Sequence, residues 1–120
     1  MKRTGVHPLK PAPTAALVLF VCSQAALAAD RTVTIRATEF AFKPATIEVD
    51  QGETARLKLV NNGNLSHNLH LRGVGTKTGT IQADNSDSIE FTATEAATVR
   101  FFCNVPGHEQ AGMTGRVQVE

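Results

Sequence analysis

Val99-Arg100-Phe101-Phe102-Cys103-Asn104-Val105-Pro106-Gly107-His108-Glu109-Gln110-Ala111-Gly112-Met113 is the most informative stretch of this 120-residue chain. Val99, Phe101 and Cys103 share one parity, with the charged Arg100 between two of them. That is the two-residue period of a half-buried strand, whose alternate side chains point to opposite faces. Cys103 therefore ends a strand with its thiol directed inward. Periodicity then stops, and Pro106, Gly107 and Gly112 favour a folded loop. The loop carries an imidazole at His108 and a thioether at Met113, so three soft or borderline donors follow one another at intervals of five residues.

The same alternation extends backward and forward from this stretch. Val33 and Ile35, Ile47 and Val49, Leu57 and Leu59, Leu69 and Leu71, Ile89 and Phe91, and Val117 and Val119 each share a parity, while Arg36, Glu48, Lys58, Arg72, Glu90 and Gln118 fall on the wet face. Strands are predicted at 31–37, 45–50, 55–61, 67–72, 88–93, 98–103 and 114–120, with a short additional one around Thr76–Ile81. Turn residues separate them: Asn62-Gly63, Gly73, Gly75, Gly79, Asp84-Asn85, Pro106-Gly107 and Gly112. Glu95-Ala96-Ala97 could begin a helical turn, but no sustained amphipathic helix is present. Seven or eight short strands imply an all-β domain, an antiparallel sandwich or a small barrel. Among its few aromatic residues, Phe42 is expected to close one end of the core.

The N-terminus reads differently. Lys2, Arg3 and Lys10 precede a short apolar run at Ala15–Val21 and a small-residue region at Ala26, Ala28 and Ala29, the organisation of a cleaved secretory signal over residues 1–29. The apolar run falls short of the roughly 20 residues a bilayer span requires. Bulky Leu19, Phe20 and Val21 before Cys22 disfavour lipid attachment there. Residues 30–120 are then one small domain, not membrane-spanning, with 9 Lys+Arg against 11 Asp+Glu. Such a balance argues against nucleic-acid binding. Cys103 is the only cysteine in that span, which excludes an intrachain disulfide despite export.

A fourth donor is expected from Ser66-His67-Asn68-Leu69-His70-Leu71. His67 shares the inward parity of Leu69 and Leu71, whereas His70 has the opposite parity and faces outward. His67, Cys103 and His108 then form a trigonal His₂Cys set with Met113 as a weak axial thioether, the ligand selection of a blue-copper electron-transfer centre. Asn68 and Asn104 adjoin two of the ligands and are candidates to tie the ligand-bearing segments together or to donate toward the Cys103 sulfur.

On these residues residues 30–120 resemble a cupredoxin of the plastocyanin/azurin type. Glu39-Phe40-Ala41-Phe42-Lys43-Pro44-Ala45-Thr46-Ile47, Ser66-His67-Asn68 and the Cys103/His108/Met113 loop occur in the order that family uses. Phe101 stands where plastocyanin-like members often have tyrosine. The resemblance implies a Greek-key antiparallel β-sandwich with one copper ion near one end, held by His67, Cys103, His108 and Met113. It further implies one-electron carriage in the periplasm by a monomer that meets its redox partners transiently: a c-type cytochrome, a copper enzyme or a membrane electron-transfer complex. His108, flanked by Leu65, Val105, Pro106, Gly107 and Ala111, is the expected exit for the electron. Copper delivery or storage is the alternative use of the same ligands. Enzymatic oxidation of a small molecule is weaker, because no second metal cluster and no acid–base pair accompany the site.

Overall fold

In the computed structural model, residues 28–120 are described, together with Gly5, Pro11 and Ala16. The rest of the segment expected to be an export signal, including Cys22, lies outside the described residues. The alternating stretches become eight strands: β1 (Arg31–Thr38), β2 (Ala41–Lys43), β3 (Thr46–Val49), β4 (Thr54–Asn61), β5 (His70–Leu71), β6 (Ser86–Thr92), β7 (Ala97–Phe102) and β8 (Thr114–Val119). Among the described residues there is no helix, and none long and apolar enough to cross a membrane. Glu95 and Ala96 form a bend leading into β7 rather than a helical turn.

The strands make two four-stranded sheets, ordered β2-β1-β4-β6 and β3-β8-β7-β5. Most neighbours are antiparallel, as expected. Each sheet also contains one parallel pair, β1 with β4 and β3 with β8, so the sandwich is mixed. Alternation marks which face of a strand is buried and carries no information about the direction of its neighbour. The cis Lys43–Pro44 peptide lies between β2 and β3, where the chain passes from one sheet to the other.

The predicted faces meet in one core. Ile35, Ala37, Ala55, Leu57, Leu59 and Phe91 come from the first sheet; Ile47, Val49, Leu71, Phe101, Val117 and Val119 come from the second. Removing a Leu, Ile or Phe side chain from water stabilises the fold by about 1.5–3 kcal/mol. This cluster therefore supplies the main force holding the sheets together. Phe42 is buried at the core and meets Phe101 edge to face, with ring centroids 5.3 Å apart. Gly115 lies opposite Phe101 in the β7–β8 ladder, and the aromatic ring occupies the space a glycine Cβ would otherwise fill.

Three elements depart from the sequence expectation. Ala41–Lys43 forms a strand too short to show periodicity, paired to the end of β1. The strand expected over 67–72 contracts to His70–Leu71, because the preceding residues bond to a loop instead. His67 exchanges backbone hydrogen bonds with Ile81, while the Leu69 N–H donates to the Thr78 hydroxyl at 2.9 Å. The extra strand expected around Thr76–Ile81 reduces to isolated bridges pairing His67 with Ile81 and His70 with Lys77.

Candidate metal centre

The site begins where β4 runs out. Parity directs Asn61 inward after Ala55, Leu57 and Leu59, and it is fully buried. Its side-chain amide donates to the carbonyls of Leu65 and Ile81, at 2.8 and 3.0 Å, and its oxygen accepts from the Gly63 N–H at 2.9 Å. A buried polar group left unpartnered would cost about 1–3 kcal/mol. Here every bond is made, and together they fold residues 61–65 into the turn that delivers His67 to the end of the sandwich.

His67 is fully buried, as its parity predicted, while His70 is half-buried on the opposite side of the segment. His67 Nδ1 faces the Cys103 sulfur at 4.0 Å, and His108 Nδ1 faces the same sulfur at 3.6 Å. The three donor atoms all lie within 4.8 Å of one another, and all three residues are buried. Metal–nitrogen and metal–sulfur bonds of about 2.1 and 2.3 Å at 120° would separate N from S by about 3.8 Å. The observed spacings fit a single ion among these side chains.

The β7–β8 connection holds its end of the cluster by backbone bonds. Cys103 N–H donates to the Met113 carbonyl at 3.1 Å, and Met113 N–H donates to the His108 carbonyl at 3.1 Å. Gly107 and Gly112 adopt φ of +85° and +104°, a left-handed conformation that glycine reaches without a Cβ penalty. Met113 is fully buried. Arg72 pairs with Glu109 and lies over the Phe102 ring, 4.3 Å from its centroid, bracing the loop from outside.

Asn68 ties the two ligand-bearing segments, as expected: its side-chain oxygen accepts from the Asn104 backbone N–H at 2.6 Å. The Asn104 side chain itself is exposed, so this residue contributes its peptide group. Asn68 also donates to the Thr80 hydroxyl at 2.9 Å.

Two residues of the β1–β2 turn, given no site role by sequence reasoning, touch the two histidines. Glu39 Oε1 lies 3.4 Å from His67 Nε2 and accepts from the N–H groups of Leu65 and Asn64, at 3.0 and 2.7 Å. The Leu65 N–H contributes most to holding the Glu39 carboxyl below its ordinary pKa. Burial pushes the His67 imidazole down from its usual value, against the opposing pull of Glu39. Phe40 stands edge-on to His108, centroids 5.2 Å apart, and leaves that imidazole 7% exposed. No spacing or period connects Glu39 to a ring 28 residues later; the available signal was a carboxylate at a hairpin turn within the stretch that carries the family resemblance.

Two packed four-stranded sheets with a buried His-Cys-His cluster at one end define a small protein built around a single soft-metal centre. The chain belongs to the cupredoxin family: residues 12–115 match the cupredoxin-like domain. It is 28% identical to the copper-resistant cuproprotein CopI of Pseudomonas aeruginosa over 140 aligned positions, covering 77% of each chain. It is 32% identical to the protein of the same name from Rubrivivax gelatinosus over 111 positions, covering 76% of this chain and 67% of that one. Its fold is similar to auracyanin B, with TM-score 0.71 and 22% identity over 78% of this chain and 91% of the other. It is also similar to auracyanin A, described as a blue copper protein of Chloroflexus aurantiacus, with TM-score 0.64 and 23% identity over 74% and 99%. Donor set and family together assign copper as the cofactor.

Proposed function

We propose that this protein is exported through its N-terminal segment and carries single electrons outside the cytoplasm. His67, Cys103 and His108 would hold one copper ion, with the buried Met113 as a further, weaker donor. When bound, copper supplies a one-electron Cu(II)/Cu(I) couple; no substrate bond is made or broken. The observation that carries this reading is the buried donor cluster, whose ligand segments are tied by Asn68 and the Cys103–Met113 backbone bond. Ligands fixed by the fold have little room to rearrange between oxidation states, and small rearrangement favours rapid electron exchange.

His108 is the exit. It is the ligand imidazole nearest solvent, and Phe40 and Leu65, 41% and 45% exposed, give the surrounding face apolar area. A small apolar face suits a transient encounter with a c-type cytochrome, a copper enzyme or a membrane electron-transfer complex. The test is to load residues 30–120 with Cu(II) and record visible absorption and electron paramagnetic resonance through one-electron reduction and reoxidation. An intense thiolate-to-copper band that disappears and returns at constant copper content supports the proposal. Copper binding that is unaffected by Cys103→Ser overturns it.

The two relatives named as copper-resistant cuproproteins favour a second reading, in which the same centre serves copper tolerance by binding or passing on the ion. Delivery predicts loss of copper to an apo-acceptor protein during redox cycling, whereas a carrier keeps it. Deleting the gene and plating on rising copper separates tolerance from a defect confined to electron flow.

A further inference from the structure

Among the described residues, Glu39 is the one carboxylate that reaches a side chain of the buried donor cluster, and the surrounding backbone is shaped to receive it. Its Oε1 collects the N–H groups of Asn64 and Leu65 and the Nε2 edge of His67. Gly63 completes the slot. A Cβ at Gly63 would sit 2.9 Å from His67 Nε2 and closer still to Glu39 Oε1, so any other residue would push the carboxylate and the ring apart. Asn61, fully buried, holds Gly63 in that position through the Gly63 N–H. The two imidazoles are thus unlike: His67 faces a carboxylate across its outer nitrogen, while His108 faces the edge of Phe40.

We propose that Glu39 is a positioning residue for the copper centre, fixing His67 with its proton on Nε2 and biasing the site toward Cu(II). With the proton directed at the carboxylate, the lone pair of Nδ1 is left toward Cys103, the atom on the cluster side of the ring. A carboxylate partner also raises the basicity of an imidazole ligand. The added negative charge favours the more highly charged metal state. This inference rests on the copper reading for its second half alone; the orientation and tautomer of His67 belong to the protein without metal.

Three variants test it. Glu39→Gln keeps an oxygen acceptor for Asn64 and Leu65 while removing the charge. Glu39→Ala removes the acceptor. Gly63→Ala keeps the charge and displaces it. In metal-free protein, long-range ¹H–¹⁵N spectra should show the wild-type His67 proton on Nε2 and a mixture of tautomers in Glu39→Ala. With copper, Glu39→Gln and Gly63→Ala should both lose roughly tenfold in preference for Cu(II) over Cu(I), within the range of outer-shell substitutions. That loss raises the reduction potential by about 59 mV. Copper absorption in wild type with no change of potential in either variant overturns the charge role. An Nδ1-protonated His67 in wild type overturns the positioning role, whether or not copper binds. If copper fails to bind wild type while the tautomer behaves as stated, the electron-carrier reading fails and the assignment of Glu39 to His67 stands.

Discussion

Asn68 accepts the backbone N–H of Asn104 at 2.6 Å, joining the residue after one candidate ligand to the residue after another. His67 and Cys103 lie on chain segments 36 residues apart, and this bond sets their separation from outside the donor cluster. Asn68→Ala removes it together with the bond to Thr80. At about 1 kcal/mol for each neutral hydrogen bond, metal-free protein should lose about 2 kcal/mol in urea denaturation with an unchanged slope. A loss below about 0.5 kcal/mol, the size of a neutral surface change, would show that the tie is not structural.

Cys103 and Met113 should respond differently to substitution. Cys103→Ser should leave a folded protein without the intense thiolate-to-copper band, since the thiolate is the donor that produces it. Met113→Leu preserves volume in a fully buried position and should cost less than about 1.5 kcal/mol. It should retain equimolar copper and a shifted band. Visible spectra paired with metal analysis distinguish the two outcomes.

Gly115 is required by packing. A Cβ there would meet the Phe101 ring and stand 2.6 Å from the Ala45 carbonyl oxygen, and rigid strands leave neither free to retreat. Gly115→Ala should destabilise the fold by about 1–3 kcal/mol, the usual range for overpacking. Gly79→Ala is the control. Its Cβ would meet only Asp87, at an ordinary 3.6 Å, and thermal denaturation should show a change near zero.

His70 should make stability depend on pH. Burial first, and then the charge of Lys77, lowers its pKa in the folded protein. The unfolded chain therefore binds the proton more readily, and stability rises with pH through this region. The His70 contribution is fully present above the ordinary histidine pKa of about 6.5 and declines as pH falls through the lower folded value. Denaturation of metal-free wild type and His70→Gln at pH 7.5 and 5.5 should give a shallower dependence in the variant. Burial of His67 bends both curves in the same direction, so the difference between the two proteins isolates His70. Equal slopes would refute the assignment.

Much of this architecture was written in short-range pattern. The inward parity of His67 with Leu69 and Leu71 survives in the structure, and the loop from Cys103 to Met113 folds back on itself as its one proline and two glycines suggested. What escaped reading depends on groups distant in the chain. Leu69 donates its N–H to a threonine hydroxyl, which shortens a strand that its side-chain pattern extends. The parallel pairing of β1 with β4 depends on strand direction, to which alternation is blind. Glu39 reaches His67 from a turn in the opposite sheet, and nothing local in either segment records the meeting.

Phe40 has a backbone φ of +63°, unusual for an aromatic residue, and its ring stands against His108. Such a conformation costs about 1–3 kcal/mol, which glycine at this position would avoid. A search for heat-resistant variants would therefore be drawn toward replacing Phe40. The same replacement would strip the cover from His108 and admit water beside it. Thermal tolerance and a shielded imidazole make opposing demands on this one position.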